Sequence, residues 1–209
     1  MGITINGSSA AGNIDLGTNG TITDLAVGGL PDGIVDTDMI AAGAVTSAKS
    51  TGLGGLAMAD EWRVATDNGE TNDSTISGWE RNDTDFAQIG TGMTQSSGVF
   101  TFPATGIYKV EFYATSRRAA NQNLAVVRYR LQASTDSGSN FTTRALSSSQ
   151  MASAGDNQET FSCCSAILDV TNASTFRVRL YVAATTHVRP LYSTSENQTC
   201  MTFLKLGDT

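Results

Sequence analysis

From position 106 onward, apolar and polar residues alternate with a period of two, the signature of a strand with one face in a core. Tyr108, Val110, Phe112 and Ala114 fall on one face of the stretch 106–114. A second row comprises Ala125, Val127, Tyr129, Leu131 and Ala133, with Val126, Arg128, Arg130 and Gln132 pointing the other way. A third contains Phe176, Val178, Leu180 and Val182, with Arg177, Arg179 and Tyr181 opposite. Shorter strands are predicted at 61–65, 74–79, 85–89, 98–102, 142–146, 159–170, 188–192 and 199–206, separated by Gly, Ser, Asn and Asp turns. Many short strands at near-regular spacing specify a β-sandwich or jelly roll. No long helical pattern is present. The predicted core contains Phe100, Tyr108, Val110, Phe112, Val127, Tyr129, Leu131, Phe176, Val178 and Leu180.

The first 56 residues follow a different rule. Both Trp, all five Tyr and all eight Phe lie beyond them, and they carry a single Lys. A stretch this poor in bulky side chains cannot close a core alone. Within it, Gly33-Ile34-Val35-Asp36-Thr37-Asp38-Met39-Ile40-Ala41-Ala42 is followed in register by Gly43-Ala44-Val45-Thr46-Ser47-Ala48-Lys49-Ser50-Thr51-Gly52. Asp36 and Thr46 stand where a helical turn of one or two turns is capped. Such repeats need neighbours to bury their apolar positions, here Val35, Met39, Ile40 and Val45. A flexible linker is the alternative; the apolar alternation through Ile22, Leu25 and Val27 counts against it. The expected organisation is an extended stem, 1–56, with short strands and helical turns, and a β-sandwich head, 57–209.

Charge narrows the chemistry. A net charge of −7 leaves no basic surface large enough for a run of phosphates, so no nucleic-acid partner is expected. No apolar run approaches the ~20 residues that cross a bilayer, and the N-terminus lacks the charged and apolar regions of a signal peptide, so neither membrane insertion nor signal-directed export is expected. Cys163, Cys164 and Cys200 make no disulfide framework and are expected to be buried thiols. The single histidine, His187, has no Gly-x-Ser-x-Gly elbow to serve, so no catalytic residue is expected and the chain does not read as an enzyme. Adjacent cysteines on a strand face opposite ways, which disfavours a zinc set. Oxygen-rich stretches at 67–73 and 82–85 have a composition suited to Ca²⁺ but not EF-hand spacing, and solvated loops are expected there, with no metal and no cofactor. Arg128, Arg130, Arg177 and Arg179 suit an anionic glycan, a neighbouring subunit or a plain solvated face, and the residues alone leave the three open.

The segment Gly98-Val99-Phe100-Thr101-Phe102-Pro103-Ala104-Thr105-Gly106-Ile107-Tyr108-Lys109-Val110-Glu111-Phe112 resembles the signature of the C1q/TNF-like jelly roll. Pro103 and Gly106 would turn the corner between two strands. The closing strand, Thr199-Cys200-Met201-Thr202-Phe203-Leu204-Lys205-Leu206, is similar to that family's last strand, although Lys205 departs from it. The decapeptides, above all Gly43-Ala44-Val45-Thr46-Ser47-Ala48-Lys49, resemble repeats of bacteriophage tail and head fibres.

Together the resemblances imply an all-β, C1q/TNF-like head on a repeat-containing stem, assembled as a homotrimer in a virion. The implied function is a tail fibre that binds a host surface receptor, glycan or protein, while the stem contacts other virion proteins. The alternative is a capsid decoration protein or head fibre; many copies per particle would favour it, a few the tail. Receptor contacts are expected on polar loops of the sandwich, with Arg118, Asn121, Asp136, Ser137, Asn140, Tyr192 and Asn197 as the candidates.

Overall fold

Twelve strands make up the described part of the computed structural model, which covers residues 56–70, 72–84, 86, 88–118, 125–151, 158–184 and 188–209. They are β1 (Met58–Val64), β2 (Ser74–Thr75), β3 (Trp79–Arg81), β4 (Thr94–Ser96), β5 (Val99–Thr101), β6 (Gly106–Arg118), β7 (Ala125–Ser134), β8 (Thr142–Met151), β9 (Glu159–Val170), β10 (Arg177–Ala184), β11 (Val188–Pro190) and β12 (Thr199–Gly207). The decapeptides with Val35, Met39, Ile40 and Val45, and also Asn121 and His187, lie outside the described residues.

Two antiparallel sheets form the sandwich. In the first, β3, β1, β12 and β6 lie side by side; β9 pairs along the whole of β6, from Gly106↔Val170 to Arg117↔Glu159, and β11 pairs with its last residues. The second runs β4-β5-β10-β7-β8, with β2 also on β10. Strict alternation explains β6: its burial switches at every residue from Gly106 to Arg118. Between the sheets the aromatic side chains interlock edge to face. The Phe100 ring lies 5.6 Å from Trp62, 5.5 Å from Trp79 and 5.0 Å from Phe203, and Phe102 lies 4.8 Å from Tyr108. Phe100, Tyr108, Val110, Phe112, Val127, Tyr129, Leu131, Val178 and Leu180 are fully buried, as Phe176 nearly is just ahead of β10. The Tyr129 hydroxyl, pushed up to about 12 by burial, meets Ser116 Oγ at 2.5 Å across the sandwich.

The structure departs from the sequence pattern in four places. Of the predicted strand 85–89, the described residues 86, 88 and 89 form only the isolated bridge Ala59↔Ile89, and the chain turns at Gly90 with φ +65°. The predicted strand 74–79 is divided: β2 joins the second sheet and β3 the first, with a break at Gly78 (φ +70°). Gln132, expected to face solvent, is buried because Arg179 Nε donates to its Oε1 and covers it. The strand β4, absent from the sequence reading, pairs with β5 through a two-residue turn in which both Ser97 (φ +50°) and Gly98 (φ +81°) are left-handed. Two positive φ angles define the type I′ hairpin turn that matches strand twist. A Cβ on Gly98 would stand 2.0 Å from the Ile76 carbonyl oxygen. Gly98→Ala is therefore expected to destabilise the head by about 1–3 kcal/mol, seen as a lower urea midpoint with unchanged slope.

Candidate functional site: two faces and two loop ends

Odd-numbered residues of β6 and β9 and even-numbered residues of β12 as far as Leu204 point away from the sandwich core, so their registers define the outer face of the first sheet. Tyr113 stands between Cys163 and Cys200, Glu111 between Ser165 and Thr202, and Lys109 between Ile167 and Leu204; Phe161 lies opposite Thr115. Phe161 and Ile167 are 57% and 69% exposed, and Leu206 is 53% exposed. The Phe161 ring packs 6.2 Å from that of Tyr113. Burial and the neighbouring Cys200 push the Tyr113 phenol up, and burial raises the Cys200 thiol to about 12. Lys109 and Glu111 form an ion pair at 2.5 Å beside a shallow depression that Thr202 and Leu204 complete.

The β1–β3 half of the same face is polar and largely hydrogen-bonded, although the buried Asn197 Oδ1 finds no partner among the described residues. Glu61 Oε1 accepts from Asn82 Nδ2 at 2.7 Å and Asn197 Nδ2 at 2.6 Å, and its Oε2 accepts from Thr202 Oγ1. The Arg63 side chain is 1% exposed and donates to Glu80, Asn82, Asp83 and Thr84, which hold the segment after β3 over the sheet. On β9 and β6 the face thus carries the Phe161–Tyr113 pair and Ile167, separated by Ser165 and the Lys109–Glu111 ion pair, beside a polar network on β1 and β3.

The loop candidates do not converge on one site. Asp136, Ser137 and Asn140 sit in the β7–β8 turn, beside the β9–β10 connection, where Ser137 N donates to Thr175 O. Tyr192 and Asn197 follow β11 at the other end of the sheets. Arg118, expected in a receptor-facing loop, is the last residue of β6 and buried, because the inward parity of that strand continues through it. Asn197 is turned onto Glu61. Tyr192 is 39% exposed, with the Arg189 guanidinium 5.9 Å from its ring centre and paired to Asp67. Arg189 and the Gly69 amide hold the Asp67 carboxyl below the usual range.

Asp136 organises its own turn. It accepts from Ser134 Oγ at 2.6 Å, Asn140 N at 2.9 Å and Asn140 Nδ2 at 2.7 Å, which lower its pKa to about 2. A depressed folded pKa stabilises the fold above the unfolded value of about 4, and the contribution is lost as pH falls through about 2. The Asn140 amide shift is expected to titrate with a midpoint near pH 2; a midpoint near 4 would show that these bonds do not form in solution.

Cys163 is exposed and Cys164 half-buried, against the expectation of buried thiols; successive residues on β9 face opposite ways. Among the described residues, no group of three or more His, Cys, Asp or Glu side chains is placed to hold a metal ion.

The sheet order and register define a TNF-like jelly roll. Among solved structures, Eiger TNF from S. frugiperda aligns with a TM-score of 0.56 at 15% identity, over 72% of this chain and 93% of its own. Murine APRIL at pH 8.5 aligns with a TM-score of 0.51 at 9% identity, over 71% and 98%. At these identities the likeness is one of fold. No protein-family profile and no curated protein matches the chain.

Proposed function

We propose that this chain is a bacteriophage virion protein: a homotrimeric fibre whose jelly-roll head binds a receptor on the host surface and whose N-terminal stem joins other virion proteins. The observation that carries the reading is the exposure of Phe161, packed on Tyr113, and of Ile167 on the outer face of the first sheet. Large apolar side chains exposed on a sheet face favour a contact with another protein surface. The C1q/TNF-like family that the head resembles brings its jelly rolls together around a threefold axis, and cyclic symmetry satisfies all copies of such a contact at once. Trimerisation also gives the stem the partners its sparse apolar residues need, with Val35, Met39, Ile40 and Val45 packed among sister chains. The similarity of the decapeptides to phage fibre repeats directs the trimer to a virion.

Immunoelectron microscopy with an antibody against the head tests the assignment. Label at the tail of intact particles is the expected result. Label distributed over the shell would transfer the protein to capsid decoration, and unlabelled particles would refute both.

A further inference from the structure

Cations with a described carboxylate partner gather on or beside the first sheet. Arg63, Arg81, Lys109, Arg117, Arg189 and Lys205, on or beside the first sheet, each hold a carboxylate within 2.9 Å or less. The second sheet carries Arg128 and Arg130 on β7, Arg144 on β8, and Arg177 and Arg179 on β10; among the described residues none of these has a carboxylate partner. Five of the chain's thirteen basic residues thus stand on one sheet of a protein whose net charge is −7. Asp136, the acid in the adjoining turn, is saturated by Ser134 and Asn140.

Two of the five are fixed in place. Arg179 donates to Gln132 Oε1 and Thr75 Oγ1, with its guanidinium 3.9 Å from the Phe141 ring centre and 5.0 Å from that of Tyr181. Arg177 donates to the carbonyl oxygens of Ala173, Ser174 and Phe176. The other three are open to ligands. Arg128 and Arg144 are exposed and Arg130 half-exposed. Arg128 lies opposite Ser148, Arg130 opposite Leu146, and Arg144 is the extra residue of the bulge beside Gln132 and Thr143. Alternate residues on a strand are about 7 Å apart, so Arg128 and Arg130 present guanidinium groups in sequence along a nearly flat surface.

We infer that the outer face of the second sheet binds an acidic polysaccharide, a polymer of uronic or sulfated sugars, with Arg128, Arg130 and Arg144 as its anion contacts. Guanidinium forks match carboxylate and sulfate oxygens in two-point contacts, and the hydroxyls of Thr143 and Ser148 suit the sugar hydroxyls between charges. Leu146 is the large apolar side chain exposed there, too little for the apolar centre of a protein–protein interface. Arg179 covers the rings of Phe141 and Tyr181 that nucleic-acid bases would need for stacking. The inference rests on the receptor-binding reading for its biological role and names the chemical class of the receptor.

The test measures binding of the full-length protein to immobilised heparin, polygalacturonate, neutral dextran and a dT20 oligonucleotide. Binding to the two acidic glycans, weakened by salt, with none to dextran, is expected. Replacing Arg128, Arg130 and Arg144 together by Gln should weaken acidic-glycan binding roughly tenfold or more, leaving the circular dichroism unchanged. Lys205→Gln, which removes a cation paired to Asp208, should bind like the parent. Unchanged glycan binding by the triple variant, equal loss in Lys205→Gln, or tighter binding to dT20 than to either glycan would overturn the inference. Competition with virus adsorption to host cells separates the two readings. A parent protein that blocks adsorption no better than its triple variant blocks it overturns the glycan inference and keeps the receptor function. Arginine-dependent glycan binding without any block keeps the surface and overturns the function.

Discussion

Asp60→Ala is expected to destabilise the head by about 3–5 kcal/mol, the range for removing one partner of a buried charged pair. The Asp60 side chain is fully buried, and four donors converge on it. Trp62 Nε1 donates at 2.9 Å and Met93 N at 2.7 Å; Arg81 donates through Nε at 2.9 Å and Nη2 at 3.2 Å. Arg81 in turn donates to the Met93 carbonyl oxygen and lies 4.6 Å from the Trp62 ring centre. One carboxylate thereby ties β1, β3 and the segment entering β4, where regular pairing is sparse. Without it, the Trp62 indole and the Met93 amide lose their acceptor inside the protein, and the half-exposed Arg81 turns to water. Thermal unfolding should move down by roughly 10 °C for a head of this size. Asp60→Asn keeps one acceptor oxygen and should lose less. A loss below about 1 kcal/mol for the alanine variant would mean that the cluster behaves as an exposed ion pair.

Replacing Phe161 and Ile167 together by Glu should convert the assembled protein to monomers without unfolding the head. Both side chains are mostly exposed in the protomer, so the change has little to disrupt within it. In the proposed trimer both are covered. Each then forfeits about 1.5–3 kcal/mol of apolar burial, repeated in every copy, and brings an unpaired carboxylate into the contact. Velocity sedimentation should show the slower species, with far-ultraviolet circular dichroism like that of the parent. A variant that sediments as the parent does would remove this face from the assembly.

Legibility in the sequence follows the contrast between the two faces of each strand. In β6, β7 and β10, large apolar residues alternate with polar ones, and the rows around Tyr108, Tyr129 and Val178 identify both strand and inward face. In β9 the contrast is weak. Its inner residues include Ser162, Cys164 and Ala166, and its outer ones include Phe161 and Ile167, so period two marks a strand without saying which side is buried. The outward facing of Phe161 and Ile167 follows only from the pairing of β9 with β6. β1 was harder still: Asp60 and Arg63 are buried on opposite faces, because Asp60 is enclosed by Trp62, Arg81 and Met93 while the segment after β3 folds over Arg63. Charge in a strand ordinarily signals solvent, and only long-range partners reverse it. The β4–β5 turn uses Ser97-Gly98 in place of the Asn-Gly or Asp-Gly pair that announces such hairpins. Among the loop candidates, Asp136, Ser137 and Asn140 share a turn as their spacing suggests. Arg118 could not be separated from a loop because the strand continues through polar Ser116, Arg117 and Arg118.

Size-exclusion chromatography with light scattering on the 209-residue chain at micromolar concentration reads the assembly state. A mass of about three times the 21.9 kDa chain is expected, with Phe161 and Ile167 of the first sheet in the contact. A stable species of 21.9 kDa would contradict it.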